Sequence, residues 1–183
     1  HHYLDNVIIF INCVFHNNIT SNSTNSKNKT TFEKDIAMLN CAVGGELSFK
    51  NARFRGNFVM NDTRVYGKAN FSEADFNGEV YFDGSEFDSE TKFIETKFKD
   101  NTSFIGNTAL QYGGGAYLHF STNVISYSNS SLKFNTASNS GGGIVLLGGM
   151  SNNIFSEIFS NYAANNGGGA YIRSQTYSTV NSI

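Results

Sequence analysis

Phe104-Ile-Gly-Asn107-Thr-Ala109-Leu-Gln-Tyr-Gly113-Gly114-Gly115-Ala116-Tyr117-Leu118 is a stretch that the chain uses three times. Leu132, Asn135, Ala137 and Gly141 to Gly143, followed by Ile144, repeat it one period on. Ile158, Asn161, Ala163 and Gly167 to Gly169, followed by Ala170, repeat it once more. With Asn107, Asn135 and Asn161 as markers the period is about 26–28 residues, in the range that defines a solenoid whose turns cover one another's apolar faces. In a parallel β-helix, equivalent positions stack about 4.8 Å apart. Phe104, Leu132 and Ile158 are therefore expected in one interior column. Asn107, Asn135 and Asn161 are expected as an Asn ladder at a corner, their amides bonding to one another and to turn backbone. The glycine triplets mark a second corner, where positive φ or close backbone approach excludes a Cβ. No Gly-Lys-(Ser/Thr) follows them, so they read as structural and not as a phosphate-cradling loop.

Upstream the period changes. Phe49, Met60, Phe71, Phe82, Phe93 and Phe104 fall at every eleventh position, and Phe54, Val65, Phe76, Phe87, Phe98 and Ala109 form a companion series. An 11-residue helical repeat is the competing reading. It fails on the glycines at 56, 67, 78 and 84, each costing a helix about 1 kcal/mol. Short strands with turns every five or six residues are expected instead, in coils of about 22 residues. That stagger places Arg53 beside Asp75 and Asp75 beside Lys97. It also places Arg64 beside Glu86 and Lys68 beside Glu90. Exposed pairs of this kind contribute under about 1 kcal/mol each, so they tune register more than they stabilise.

Two resemblances sit on these residues. Ala52-Arg-Phe54, Ala69-Asn-Phe71 and Ala74-Asp-Phe76 resemble pentapeptide-repeat proteins, over roughly residues 47–103. That likeness implies a right-handed four-sided β-helix with the Phe side chains inside. The strict five-residue unit is replaced here by alternating fives and sixes, which implies two looser corners. Phe98-x-x-Asn101, Phe104-x-x-Asn107, Gly114-Gly-Ala-Tyr117 and Gly168-Gly-Ala-Tyr171 resemble the repeats of chlamydial polymorphic membrane proteins. That likeness implies a surface-exposed, adhesive β-helix passenger. Tyr replaces the family's aliphatic residue, Gly142-Gly-Ile-Val145 lacks its Ala, and no membrane barrel is read within residues 1–183.

The fold class expected is an all-β, right-handed parallel β-helix, with residues 1–183 as a single domain. Residues 1–46 form the first coils, 47–103 carry the 11-residue repeats and 104–183 the glycine-triplet repeats. The cross-section is expected to change near residue 104. Strands run over 3–15 and resume at Ile36. Between them, His16 to Asp35 is rich in Asn, Ser, Thr and Lys and reads as a loop thrown out from a corner. Cys13 and Cys41 flank that loop, and a disulfide would close its base. The competing reading stacks them as two small apolar core residues. Sequons stand at Asn18, Asn22, Asn28, Asn61, Asn70, Asn101 and Asn129, so N-linked glycans are the only non-protein groups expected.

Function is less legible. A net charge of -2 gives no reason to expect nucleic acid as a partner. No window of apolar residues is long enough for a transmembrane helix, so no membrane insertion is expected. Glu73, Asp75, Glu79, Asp83, Glu86, Asp88 and Glu90 could hold calcium or provide a glycosidase pair. Spread through a repeat and opposite basic neighbours, they read as a solvated face. His1, His2, His16 and His119 do not cluster. No catalytic, cofactor-binding or metal-binding residue is assigned, and the chain is not read as an enzyme. The reading is an extracellular or cell-surface rod, structural or adhesive, glycosylated and stacking end to end with itself. A carbohydrate or cell-surface ligand is the other partner considered. Alternatives are a carbohydrate-active β-helix enzyme, or a passenger fragment of a longer adhesin. No capping segment is read at either end, so end-to-end stacking into a filament, or continuation into further coils, is expected.

Overall fold

A computed structural model describes residues 3–21, 29–89, 91–94, 96–98, 102–110, 113–119, 131–147 and 157–173. All regular structure among them is short strand, and every pairing between strands is parallel. The strands stack into four faces. The first face holds Tyr3–Leu4, Thr30–Phe32, Ala52–Phe54, Asp75–Phe76 and Lys97–Phe98. The second runs through Ile8–Ile11, Ile36–Leu39, Phe58–Asn61, Val80–Asp83, Thr102–Ile105, Ser131–Lys133 and Glu157–Phe159. The third holds Val14–Phe15, Ala42–Val43, Arg64–Val65, Glu86–Phe87, Thr108–Ala109, Thr136–Ala137 and Tyr162–Ala163. Ile19–Thr20, Leu47–Ser48, Ala69–Asn70, Thr91–Ile94, Ala116–His119, Ile144–Leu147 and Ala170–Arg173 make the fourth. The chain is thus a parallel β-solenoid.

Register gives the coil sizes. Ile8 pairs with Ile36, a step of 28; Ile36, Phe58, Val80 and Thr102 then follow at steps of 22. Ser103 to Ser131 is 28 again, and Ser131 to Glu157 is 26. The expected periods therefore stand. The widening begins at the first glycine triplet. Phe87 pairs with Ala109 at a step of 22, but on the next face Phe93 pairs with Leu118 at 25. Three extra residues thus enter between Ala109 and Ala116. Among the described residues the first face ends at Lys97–Phe98, and the later coils show three faces.

A 22-residue coil sends its two 11-residue halves to opposite sides of one interior. All members of both aromatic series are buried. Their rings pile in columns: Phe54 on Phe76 at 4.6 Å, Phe76 on Phe98 at 5.1 Å, Phe71 on Phe93 at 5.1 Å and Phe82 on Phe104 at 5.2 Å, all nearly parallel. Rings of different columns meet edge to face, as Phe49 does with Phe54 and Phe58. Burying each ring contributes about 1.5–3 kcal/mol, and each ring pair about 0.5–1.5 kcal/mol more.

The corner between the second and third faces repeats in every coil. Asn12, Asn40, Asp62, Gly84, Gly106, Phe134 and Ser160 occupy it, all with φ between 47° and 65°. A positive φ turns the chain sharply and favours Gly, Asn and Asp. The next residue points inward and forms a second column: Cys13, Cys41, Thr63, Ser85, Asn107, Asn135 and Asn161. Volume is traded along this column. Where the corner side chain is small (Cys, Thr or Ser), the inward residue two positions on is Phe15, Val43, Val65 or Phe87. Where it is Asn, that residue is Ala109, Ala137 or Ala163.

At the glycine-triplet corner both anticipated reasons for glycine apply. Gly113, Gly141 and Gly167 have φ of 64°, 69° and 64°. The other two members face backbone: a Cβ on Gly143 would collide with the Gly169 carbonyl. Gly143→Ala is therefore expected to cost about 2 kcal/mol through overpacking. A thermal melt reads the loss, and an unchanged melt would show that the corner can open.

The polar loop is shorter than the sequence suggested. Ile19–Thr20 and Thr30–Phe32 lie inside the segment read as loop, yet both are strands. Their inward residues are apolar (Ile19 and Phe32), and that was enough to seat each on the next coil. Residues 22–28 lie outside the described part of the chain.

Candidate functional surfaces

The inward corner column is a continuous polar ladder among the described residues. Asn107 N–H donates to Asn135 Oδ1 at 2.9 Å, and Asn135 N–H to Asn161 Oδ1 at 2.9 Å. The amide nitrogens donate back along the coil, Asn107 Nδ2 to Phe82 O, Asn135 Nδ2 to Phe104 O and Asn161 Nδ2 to Leu132 O, each at 2.9 Å. Asn107 and Asn135 are fully buried. The ladder extends past the three asparagines. Ser85 N–H donates to Asn107 Oδ1 at 2.9 Å, Thr63 N–H to Ser85 Oγ and Cys41 N–H to Thr63 Oγ1 at 3.3 Å. This extension was missed in the sequence, because Ser, Thr and Asn share only an oxygen at the right height.

Cys13 and Cys41 occupy the foot of this column as free thiols, so the expected bridge is not formed. Each Sγ is turned toward backbone oxygen, Cys13 to Ile11 O at 3.4 Å and Cys41 to Leu39 O at 3.4 Å. They stand one coil apart, which is the stacked-core alternative.

The charge ladders follow the deduced register. Arg53 pairs with Asp75 and Asp75 with Lys97 across adjacent strands, and Arg53 Nη2 lies 3.4 Å from Asp75 Oδ2. Arg64 Nη1 is 3.3 Å from Glu86 and Arg64 Nη2 is 3.1 Å from Asp88, with the guanidinium 4.8 Å above the Tyr66 ring. The bond to Asp88 raises the Arg64 pKa further above its ordinary value. Glu90, opposite Lys68, lies outside the described residues. Lys29 was not anticipated. It reaches across the first face to Asp75 Oδ2 at 3.1 Å. Asp75 is buried, so it does not belong to a solvated face. Glu73 meets Lys50 at 3.5 Å, and Glu79 accepts from the Tyr81 hydroxyl at 2.8 Å. Glu73, Asp75, Glu79, Glu86 and Asp88 thus sit among local partners along the coils. Among the described residues, no three His, Cys, Asp or Glu side chains are placed to hold a metal ion.

Of the sequons, Asn18 is exposed at a corner, with its Oδ1 accepting from Glu46 N–H at 2.8 Å. Asn61 and Asn70 are half-buried strand ends. Asn22, Asn28, Asn101 and Asn129 lie outside the described residues, as do His1 and His2. His16 is exposed, and His119 closes the strand Ala116–His119. Among the described residues no helix is long and apolar enough to cross a membrane.

Two surfaces remain. On the first coil Leu4, Val7, Ile9, Ile11 and Val14 are exposed, and the inward Ile8, Phe10, Cys13, Phe15 and Ile19 are only half-buried. Their second-coil equivalents Ile36, Met38, Cys41, Val43 and Leu47 are all buried. At the other end, Phe134 and Tyr162 are exposed aromatics near one corner.

A stacked-phenylalanine core, left-handed corners and parallel ladders define a β-solenoid whose middle is built from alternating five- and six-residue units. Residues 61–106 match the family model for pentapeptide repeats (9 copies). No curated protein matches the chain, and no solved structure does.

Proposed function

We propose that the chain is a non-enzymatic structural or adhesive rod, displayed outside the cell or on its surface, whose coils continue end to end into further coils. The observation that supports it most is the first coil. Its four strands each end a sheet and its inward side chains are half-exposed, so a further coil laid on them would complete both the hydrogen bonding and the core. Preceding coils of a longer chain would supply such a coil, and so would a second copy, which makes a fibre when the contact does not close. The likeness of residues 104–183 to the repeats of chlamydial polymorphic membrane proteins supports surface display. N-linked glycans on a eukaryotic surface fit the same setting, and Asn18 is the most accessible described acceptor.

Light scattering on the purified chain, with imaging of material from its source, tests this reading. Concentration-dependent growth into rods, or rods in the native material, is expected. A monodisperse monomer at all concentrations, from a transcript with no further coils, would defeat it. Intact mass before and after glycosidase treatment reads the glycans on the same sample.

A further inference from the structure

We infer that Cys13 and Cys41 form a two-coordinate site for a soft monovalent cation, Cu(I), held between the first and second coils. This goes beyond the rod reading and does not rest on it. The starting observation is that the two thiols are equivalent. Cys41 follows Cys13 in the inward corner column one coil on, and the next residues, Val14 and Ala42, are strand partners. Each sulfur also takes the same stance against its own coil. Cys13 Sγ lies 3.4 Å from Ile11 O and Cys41 Sγ 3.4 Å from Leu39 O, in both cases the carbonyl two residues back. Equivalent atoms of successive coils are separated by the coil spacing, about 4.8 Å. A disulfide bond, at about 2.05 Å, would require at least one sulfur to leave this position. Two metal–thiolate bonds of about 2.3 Å, set end to end, span about 4.6 Å. The solenoid therefore holds the thiols apart by the length of a linear sulfur–metal–sulfur bridge.

The donor set selects the ion. Among the described residues, no three His, Cys, Asp or Glu side chains are placed to hold a metal, so the thiols act as a pair. Structural Zn(II) and iron–sulfur clusters call for four ligands, and Ca(II) and Mg(II) call for oxygen. Thiolates favour Cu(I), whose closed shell accepts linear two-coordination. The surroundings are soft as well. Met38 and Met60, two of the chain's three methionines, are inward strand partners on the second and third coils. They share one buried cluster with Cys41, and Cys13 packs against it. An apolar, thioether-rich shell keeps water and strongly hydrated hard cations from the sulfurs. Cys41 is buried and Cys13 half-buried, so the ion enters past Cys13. Binding forms two copper–sulfur bonds and releases two thiol protons to solvent, and no electron is transferred.

The test is anaerobic titration of the reduced full chain with Cu(I) against the chelator bicinchoninate, with Zn(II) as the comparison ion. One Cu(I) per chain withheld from the chelator is expected, with a thiolate-to-copper absorption band in the ultraviolet. The melting temperature should rise with Cu(I) concentration, as it does for any ligand of the folded state. Zn(II) should be held more weakly. Cys13→Ser and Cys41→Ser should each weaken Cu(I) binding more than about a hundredfold, beyond the about 10–100-fold that loss of an outer-shell partner costs. Ser85 already serves the same column two coils beyond Cys41, so serine fits the corner. Protection of Cys13 from iodoacetamide by Cu(I) reads the site in the unsubstituted chain, whatever the variants do. No Cu(I) withheld, no protection, or equal binding by both variants would each overturn the assignment. So would Zn(II) held more tightly than Cu(I), or a melting temperature lowered by Cu(I), the sign of capture by the unfolded chain.

Discussion

Replacing Asn135 by Ala is expected to destabilise the protein by about 3–5 kcal/mol, summed over the buried groups it would strand. Asn135 is fully buried and serves two coils at once. Its Oδ1 accepts from the backbone N–H and the Nδ2 of Asn107, and its Nδ2 donates to Phe104 O and to Asn161 Oδ1. Ala would leave the Asn107 backbone N–H buried without a partner, at about 1–3 kcal/mol, and would take one hydrogen bond each from the Phe104 carbonyl, the Asn107 amide nitrogen and Asn161, at about 0.5–1.5 kcal/mol apiece. The control is Asn165→Ala. That side chain donates to Asn139 Oδ1 at 2.9 Å in an exposed ladder, and its loss should cost under about 0.5 kcal/mol. Denaturant unfolding of both variants reads the contrast. Equal losses would mean that the inward ladder carries no special weight.

Phe82→Ala is expected to cost about 3–5 kcal/mol, through lost transfer energy and the cavity left behind. The ring stacks on Phe104 at 5.2 Å and meets Phe58, Phe71, Phe87 and Phe93 within 6.3 Å. It therefore ties three aromatic columns together, and collapse around the vacancy would require several stacked rings to leave their rotamers. Phe82→Leu fills most of the volume and should cost about half as much. A loss near 1 kcal/mol for Phe82→Ala would show that neighbouring coils slide to fill the gap, and the close-packed account of the core would fail.

The phenylalanine series told the period, the parallel stacking and the inward positions because one residue type recurs where one physical demand recurs. The left-handed corner was invisible for the opposite reason. Asn12, Asp62, Gly84, Phe134 and Ser160 share a backbone state and no side-chain chemistry. Lys29 escaped notice because its partner Asp75 lies two coils away, outside any one-coil register. The cysteines were ambiguous in principle. Cys41 follows Cys13 by the same step that carries Ile8 to Ile36, so stacking and bridging make the same demand on the sequence. The boundary near residue 104 was close. The widening waits for Gly113, because the Phe104 strand still steps by 22 from Phe82. Phe134 and Tyr162 left no trace in the repeat pattern, since the equivalent positions of the other coils hold unlike residues.

The direction of the bonds between coils has a mechanical meaning. Hydrogen bonds between coils run along the axis of the rod, so a pull from end to end loads every bond of a layer together. The buried Asn107 and Asn135, each bonded to the coils on either side, act as rivets across the seams where rupture would otherwise begin.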